Sequence, residues 1–148
     1  VSTIPIEEYQ KYILNDSYIR IHETKPADFY NTLDVALVSS GTATLETAYF
    51  QVPMVIVYRV GALTWFFGRL LVKLDTIGLT NIVAGEPMAM ELLQKDFNPQ
   101  RAESELRQLL DPERNAEVRQ QLAIIKEKLG APGASRRTAE LIVDFISR

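Results

Sequence analysis

Ser39, Ser40, Gly41, Thr42 and Glu46 are the residues whose types and spacing could do chemistry. Three hydroxyls surround one glycine, and a carboxylate follows four positions after the last of them. Gly41 lets the backbone approach a bound group closely, and Ser39, Ser40 and Thr42 add donors that need no metal. The apolar run Val35-Ala36-Leu37-Val38 before them reads as a buried strand, and the segment after them as a helix. A helix that starts beyond the carboxyl end of a parallel strand presents unpaired backbone N–H groups and a partial positive charge. An anion is therefore expected at Ser40 to Thr42. Glu46 shares a helix side with Thr42, one turn further on, where a carboxylate can accept hydrogen bonds from a ribose diol. Together the two features suggest a nucleotide.

A purely local explanation also exists. Ser and Thr are ordinary helix caps, and an early Glu complements the helix dipole whether or not a ligand binds. A capping box, however, needs a Ser or Thr three residues before the Glu, and Ala43 stands there.

Composition narrows the classes. The chain has 148 residues, 47% of them hydrophobic, enough for one domain with a sizeable core. Its 16 basic and 19 acidic residues give a net charge of -3, so there is no field for nucleic acid. Cysteine is absent, which removes disulfides, thiolate metal sites and thiol nucleophiles and is compatible with a cytosolic compartment. No signal peptide is visible, and the longest apolar run, around Leu63 to Leu74, is far short of the ~20 residues a spanning helix needs. His22 has no clustered partners for a metal site, and no Asp-x-Asp pair offers an anchor for a divalent ion, so no metal is expected. His22 and Asp34 lie within or before strands, away from where a base is needed, and neither is assigned as a catalyst.

The elements that must position the hydroxyls follow in order. A short helix over residues 6–14 comes directly after Val1-Ser2-Thr3-Ile4-Pro5, so the chain reads as cut at its start. A strand over 17–23, a helix opened by Pro26 and running to Leu33, and the strand 35–39 come next. The helix 42–50 leads to Pro53 and the strand Met54-Val55-Ile56-Val57-Tyr58, whose nearly continuous apolar run suits burial on both faces. Arg59 ends that strand at the ligand edge. Leu63, Phe66, Phe67, Leu70, Leu71 and Leu74 form a helical stripe for the core. Trp65 and Val72, flanked by Arg69 and Lys73, lie on the opposite side and need another surface. A neighbouring domain or helix is the favoured cover, ahead of an anionic membrane face.

A further strand is expected over 76–82, with Asn81 at its exit, where hydrogen bonding to its own turn is the simpler role. Helices are expected over 88–94, 99–110, 112–129 and 138–146, with Leu122, Ile125 and Leu129 on one buried face and Leu141, Ile142 and Phe145 on another. Four βα-type units and a helical tail make an α/β fold, a Rossmann-like parallel sheet flanked by helices.

Ser39-Ser40-Gly41-Thr42-Ala43-Thr44-Leu45-Glu46 followed by Val52-Pro53-Met54-Val55-Ile56-Val57-Tyr58-Arg59-Val60 resembles the lipid A disaccharide synthase family. Leu79-Thr80-Asn81-Ile82-Val83-Ala84-Gly85, Glu91-Leu92-Leu93-Gln94, Leu129-Gly130 and Gly133-Ala134-Ser135 agree in order and spacing. The resemblance implies a peripheral bacterial enzyme of the two-lobed, GT-B type, working on the cytoplasmic side of the inner membrane. That enzyme joins a UDP-linked diacylglucosamine to a monosaccharide lipid and releases UDP without a metal or other cofactor. It implies that Ser39 to Thr42 meet the diphosphate, that Glu46 meets the ribose, and that Asn81, Glu91 and Gln94 belong to the donor neighbourhood. Arg59 is a candidate charge for the leaving group. Thr80 stands where the family usually has Pro, Glu86 where a basic residue is common, and Met90 where Pro usually precedes the Glu.

Neither the family's Pro-Gly-Ser-Arg turn nor its first lobe, which carries the acceptor site and proposed base, is present. Residues 1–148 thus read as a single C-terminal, UDP-sugar-binding lobe that lacks its N-terminal lobe and contains no catalytic residue. A homodimer is left open. Two other classes share some of these features: a UDP-sugar epimerase or other UDP-sugar transferase lobe, and a non-catalytic Rossmann-like interaction module docking through Trp65.

Overall fold

Val55 and Val57 point to one side of strand β2 (Met54–Tyr58) and Met54 and Ile56 to the other, and all four are buried. Such a strand needs a neighbour at each edge and a helical layer on each face. In the computed structural model, which describes residues 6–13, 18–19, 21, 26–61 and 76–147, it has all of these. Strand β1 (Ala36–Ser39) pairs parallel to it with Ala36 opposite Met54 and Ser39 opposite Val57. Strand β3 (Met90–Leu93) pairs parallel on the other edge, with Ile56 opposite Glu91 and Tyr58 opposite Leu93. The order is β1-β2-β3.

Two expectations exchange places here. The segment expected as a helix over 88–94 is strand β3, closed by a single 3-10 turn at Gln94–Asp96. Its few apolar residues fit either period, and the open edge of β2 selects the extended form. The segment expected as a strand over 76–82 becomes helix α4 (Leu79–Ala84), which ends at Gly85 in the left-handed region, φ 77°. Thr80, Ile82 and Val83 favour strands in isolation, but Thr80, Asn81 and Ala84 are buried together along one helical side. The strand expected over 17–23 falls mostly outside the described residues, and Tyr18, Ile19 and Ile21 are not in a strand. The helical stripe at 63–74 lies outside them altogether, as do His22, Trp65, Arg69, Val72 and Lys73.

Helices α1 (Ile6–Gln10) and α2 (Pro26–Tyr30) are short. Helix α3 (Thr42–Tyr49), α4 and α6 (Pro112–Leu129) cover one face of the sheet, where Ala48, Met54, Ile56, Ala84, Val118, Leu122 and Ile125 form the core. Helix α5 (Pro99–Leu109) covers the other, with Ala102 and Leu106 against Val55, Val57 and Leu92. Burial of each large aliphatic side chain contributes about 1.5–3 kcal/mol. Asn98 and Asp111 cap α5 and α6, accepting from the amides of Arg101 and Arg114 at 3.0 Å, each just before a proline at the first helical position.

Arg119 of α6 ties down the opposite end of the sheet. It donates to the carbonyls of Leu33 (2.8 Å), Asp34 (3.1 Å) and Gln51 (3.3 Å), and to Asn115 Oδ1 (2.7 Å). The chain entering β1 and the turn before β2 are thus fixed by one guanidinium, and the carboxyl ends of the strands are left free of it.

The buried face of α6 is Val118, Leu122 and Ile125, and Leu129, expected with them, is 44% exposed. On helix α7 (Ala134–Ile146), Leu141, Ile142 and Phe145 were expected inward but are 71%, 54% and 81% exposed. Their spacing specifies an apolar stripe, yet among the described residues nothing covers it. Periodicity identifies a face and cannot supply the partner.

Candidate functional site

Ser39 and Ser40, Arg59, and Gln94 stand at the carboxyl ends of β1, β2 and β3, along one edge of the sheet. At β1 the ladder continues one step, the Ser40 amide donating to the Val57 carbonyl at 3.0 Å. Gly41 then takes φ 154° and ψ -165°, a region open almost only to glycine, and the chain enters α3. A Cβ built on Gly41 would meet none of the described residues within 4 Å. The glycine is required by the backbone angle.

Among the described residues no side chain caps α3. Thr44, which could fold back toward the first amides, instead donates its hydroxyl to the Gly41 carbonyl at 2.8 Å. Thr42 and Ser39 are exposed, and the Ser40 hydroxyl donates inward to the Ile77 carbonyl at 3.1 Å. The turn therefore leaves Thr42 exposed at the start of α3, with Ser40 as its inner anchor.

Thr42 and Glu46 line one groove of about 300 Å³ with Leu45, Tyr49, Phe50 and Leu129. Their four-residue spacing does put them on one side of α3. Glu46 is exposed, and the Tyr30 hydroxyl of α2 lies 3.5 Å from its Oε2, a long contact. Tyr30 also stacks on Phe50, with ring centroids 5.2 Å apart. Sequence reasoning missed Tyr30, whose only signal was its place in an aromatic pair with Phe29 on a proline-initiated turn.

Arg59 is held by the exit of β3. Its Nη2 donates to the carbonyls of Phe97 (2.7 Å) and Gln94 (3.2 Å), and its guanidinium lies 5.6 Å from the centre of the Phe97 ring. Gln94 has φ 52°, its Oε1 accepts from the Val60 amide at 3.3 Å, and its Nε2 is buried with no hydrogen-bond partner among the described residues. A buried donor left unpaired costs about 1–3 kcal/mol. The Val60 amide holds the Gln94 side chain, and Arg59 holds its backbone carbonyl, both at the carboxyl end of the sheet.

Asn81 and Glu91 lie deeper. Glu91 is in the middle of β3, opposite Ile56. Its carboxylate accepts from the Ile77 amide (3.0 Å), the Gly78 amide (2.9 Å), Asn81 Nδ2 (2.8 Å) and the Thr76 hydroxyl. Burial pushes this carboxyl up, but the hydrogen bonds from Ile77, Thr76, Gly78 and Asn81 outweigh it and hold its pKa below the ordinary value. Asn81, only 2% exposed, also donates to the Ala89 carbonyl (2.8 Å) and accepts from the Ala89 amide (2.9 Å). Both side chains thus spend their polar atoms on the protein itself. Thr80, at the position where a proline was the usual occupant, is buried and donates to the Thr44 carbonyl at 2.8 Å.

A larger cavity, about 420 Å³, opens beside Met54, Met88, Met90 and Leu109, and reaches Asn81 and Glu91 but none of Ser39 to Thr42, Glu46, Arg59 or Gln94. Among the described residues no group of three or more His, Cys, Asp or Glu side chains is placed to hold a metal ion. No described helix is long and apolar enough to cross a membrane.

The model of the lipid-A-disaccharide synthetase family matches residues 4–144. The chain belongs to that family. Curated lipid-A-disaccharide synthases show the same relationship. The protein of Syntrophus aciditrophicus is 40% identical over 131 residues, covering 88% of this chain and 34% of the relative. That of Nitrosococcus oceani is 44% identical over 129 residues, 86% and 33%. That of Persephonella marina is 40% identical over 152 residues, 97% and 40%. The chain thus spans about a third of the length of the lipid-A-disaccharide synthases it matches. The resemblance read from the Ser39 to Val60 stretch and the Asn81 and Glu91 segments therefore holds across nearly the whole chain.

Proposed function

We propose that this chain is the donor-nucleotide lobe of a two-lobed, GT-B type glycosyltransferase. The full-length enzyme would condense UDP-2,3-diacylglucosamine with diacylglucosamine 1-phosphate and release UDP, working peripherally on the cytoplasmic side of the inner membrane. The observation that carries this reading is the start of α3 at the Gly41 turn, uncapped by any described side chain, with Thr42 and Glu46 on one groove beside it.

In that reaction the acceptor hydroxyl oxygen bonds to the anomeric carbon as the bond from that carbon to the diphosphate breaks, and UDP leaves with the electron pair. The hydroxyl proton goes to a base on the full-length enzyme's other lobe. This lobe holds the leaving group. Backbone amides at Gly41 and Thr42 and the hydroxyls of Ser39 and Thr42 meet the diphosphate where its charge grows, which is where preorganised donors lower the barrier. The sequence has no Asp-x-Asp anchor, and we take these donors to do the work without a metal. Glu46 accepts from the ribose hydroxyls, with the Tyr30 hydroxyl steadying it. Arg59 keeps its charge near while holding the Gln94 carbonyl, and Gln94 shapes the edge of the donor site. Asn81 and Glu91 support the site from beneath.

Calorimetric titration of UDP into the full-length protein tests this reading. Binding is expected, and Glu46→Ala is expected to weaken it by roughly tenfold, about 1.4 kcal/mol. The isolated 148-residue chain is expected to show no transfer. Absence of UDP binding to the full-length protein, or an unchanged affinity in Glu46→Ala, would refute the assignment.

A further inference from the structure

We infer that Glu91 and Asn81 are positioning residues that set the anion turn from three elements away, through the strap at residues 76–78. The inference rests on the nucleotide reading of the Ser40 turn and adds the part of the chain that holds it in place.

The strap is gripped from below. Glu91 receives four donors from it and from Asn81, as many as a carboxylate readily accepts. Asn81 in turn is bound on both sides of the Ala89 peptide, so the carboxylate cannot swing away without breaking a buried network. Gly78 permits this closeness. A Cβ there would come within 2.5 Å of Ile56 Cδ1 and 2.9 Å of Glu91 Oε1. Its φ of -75° is open to any residue, so it is space that selects glycine at this position.

The other side of the same segment holds the turn. The Ile77 carbonyl accepts the Ser40 hydroxyl at 3.1 Å, and the Thr80 hydroxyl donates to the Thr44 carbonyl at 2.8 Å. Ser40 and Thr44 bracket Gly41, Thr42 and Ala43, the residues whose amides open the helix. Both brackets are thus attached to a segment whose own position is fixed by Glu91. A carboxylate that merely capped α4 would need one or two of these bonds and no connection to β1. Displacing it should therefore be felt at the turn.

The test is a double-substitution cycle in the full-length protein, with UDP affinity read by calorimetry at a temperature where circular dichroism shows every variant folded. Glu91→Gln keeps the size but turns an amide toward the Ile77 or Gly78 N–H, and is expected to weaken UDP roughly tenfold. Ser40→Ala is expected to weaken it by a few-fold, and the double variant to be clearly weaker in effect than the product of the two, because both break one path. In the ligand-free protein, Glu91→Gln is expected to speed hydrogen exchange at the amides of residues 40–44 while those of β2 keep their protection.

Independent, multiplicative effects on affinity would overturn the inference, as would unchanged exchange at 40–44. Should the wild-type protein bind no UDP, the nucleotide reading fails, and the exchange measurement alone decides whether Glu91 holds the turn. If Glu91→Gln does not fold, Gly78→Ala, whose Cβ would crowd Glu91 Oε1, forces strap and carboxylate apart without removing either, and the same two readouts apply.

Discussion

Replacing Asn81 by Asp changes one atom type at a site where every contact is known. The Oδ1 that accepts from the Ala89 amide at 2.9 Å is retained. At the other position an NH₂ that donates to the Ala89 carbonyl and to Glu91 Oε1, both at 2.8 Å, becomes an oxygen facing two acceptors. The bond to the charged carboxylate contributes about 1.5–3 kcal/mol and the neutral one about 0.5–1.5 kcal/mol. Because the site is 2% exposed, water cannot replace either bond, and the introduced charge would sit beside the Glu91 charge. The expected loss for Asn81→Asp at pH 7.5 is therefore about 3 kcal/mol. Burial and the neighbouring carboxylate raise the pKa of the introduced group in the folded state, so folding favours its protonated form. The destabilisation is then full well above that raised value and shrinks as pH falls, since a protonated carboxyl can again donate one bond. In the wild type Glu91 is held below its ordinary value of 4.5, so the recovery at pH 5.0 reports the introduced carboxyl and its pairing with Glu91. Urea unfolding followed by far-UV circular dichroism at pH 7.5 and 5.0 measures both effects. With a slope near 2 kcal/mol/M, the pH 7.5 midpoint should fall by about 1.5 M and recover part of that at pH 5.0. Asn81→Leu, which has no titrating group, should show a loss that does not depend on pH. A variant within about 1 kcal/mol of wild type, or a deficit that grows on acidification, would refute the buried network.

Two further outcomes follow from the same geometry. Gly41→Ala meets no steric neighbour among the described residues, so its cost comes from the backbone angle, about 1–3 kcal/mol by urea unfolding; unchanged stability would mean that the turn does not hold that angle. The lowered pKa of Glu91 means that its stabilisation is present above the unfolded value and lost as pH falls through the folded one. The stability gap between wild type and Glu91→Gln should accordingly be constant near neutrality and narrow below pH 4.5, and a gap that is flat down to pH 3 would count against the clamp.

Much of the scaffold was legible because its causes are local. Met54 to Tyr58 is too continuously apolar to be anything but a doubly covered strand, and Asn98-Pro99 and Asp111-Pro112 announce helix starts through their own caps. The turn from Ser39 to Thr42 was legible for the same reason, since a glycine between a strand and a helix sets the backbone angle there by itself. The four-residue spacing of Thr42 and Glu46 sufficed to place them on one groove.

Other features had no local cause. Met90 to Leu93 became a strand because β2 had an open edge, and Leu79 to Ala84 a helix because its buried side met α3 and α6. Arg59 was readable as a charge at the ligand edge, but only folding brought the carbonyls of Gln94 and Phe97, 35 and 38 residues away, into its reach. The residue types and short spacings determined by themselves where the glycine turn between strand and helix would form. Which carboxylate would hold that turn was decided by tertiary structure alone: Glu91 meets donors 10 to 15 residues earlier, and those reach Ser40 across a gap of 37, contacts that exist only once the sheet has brought distant strands side by side.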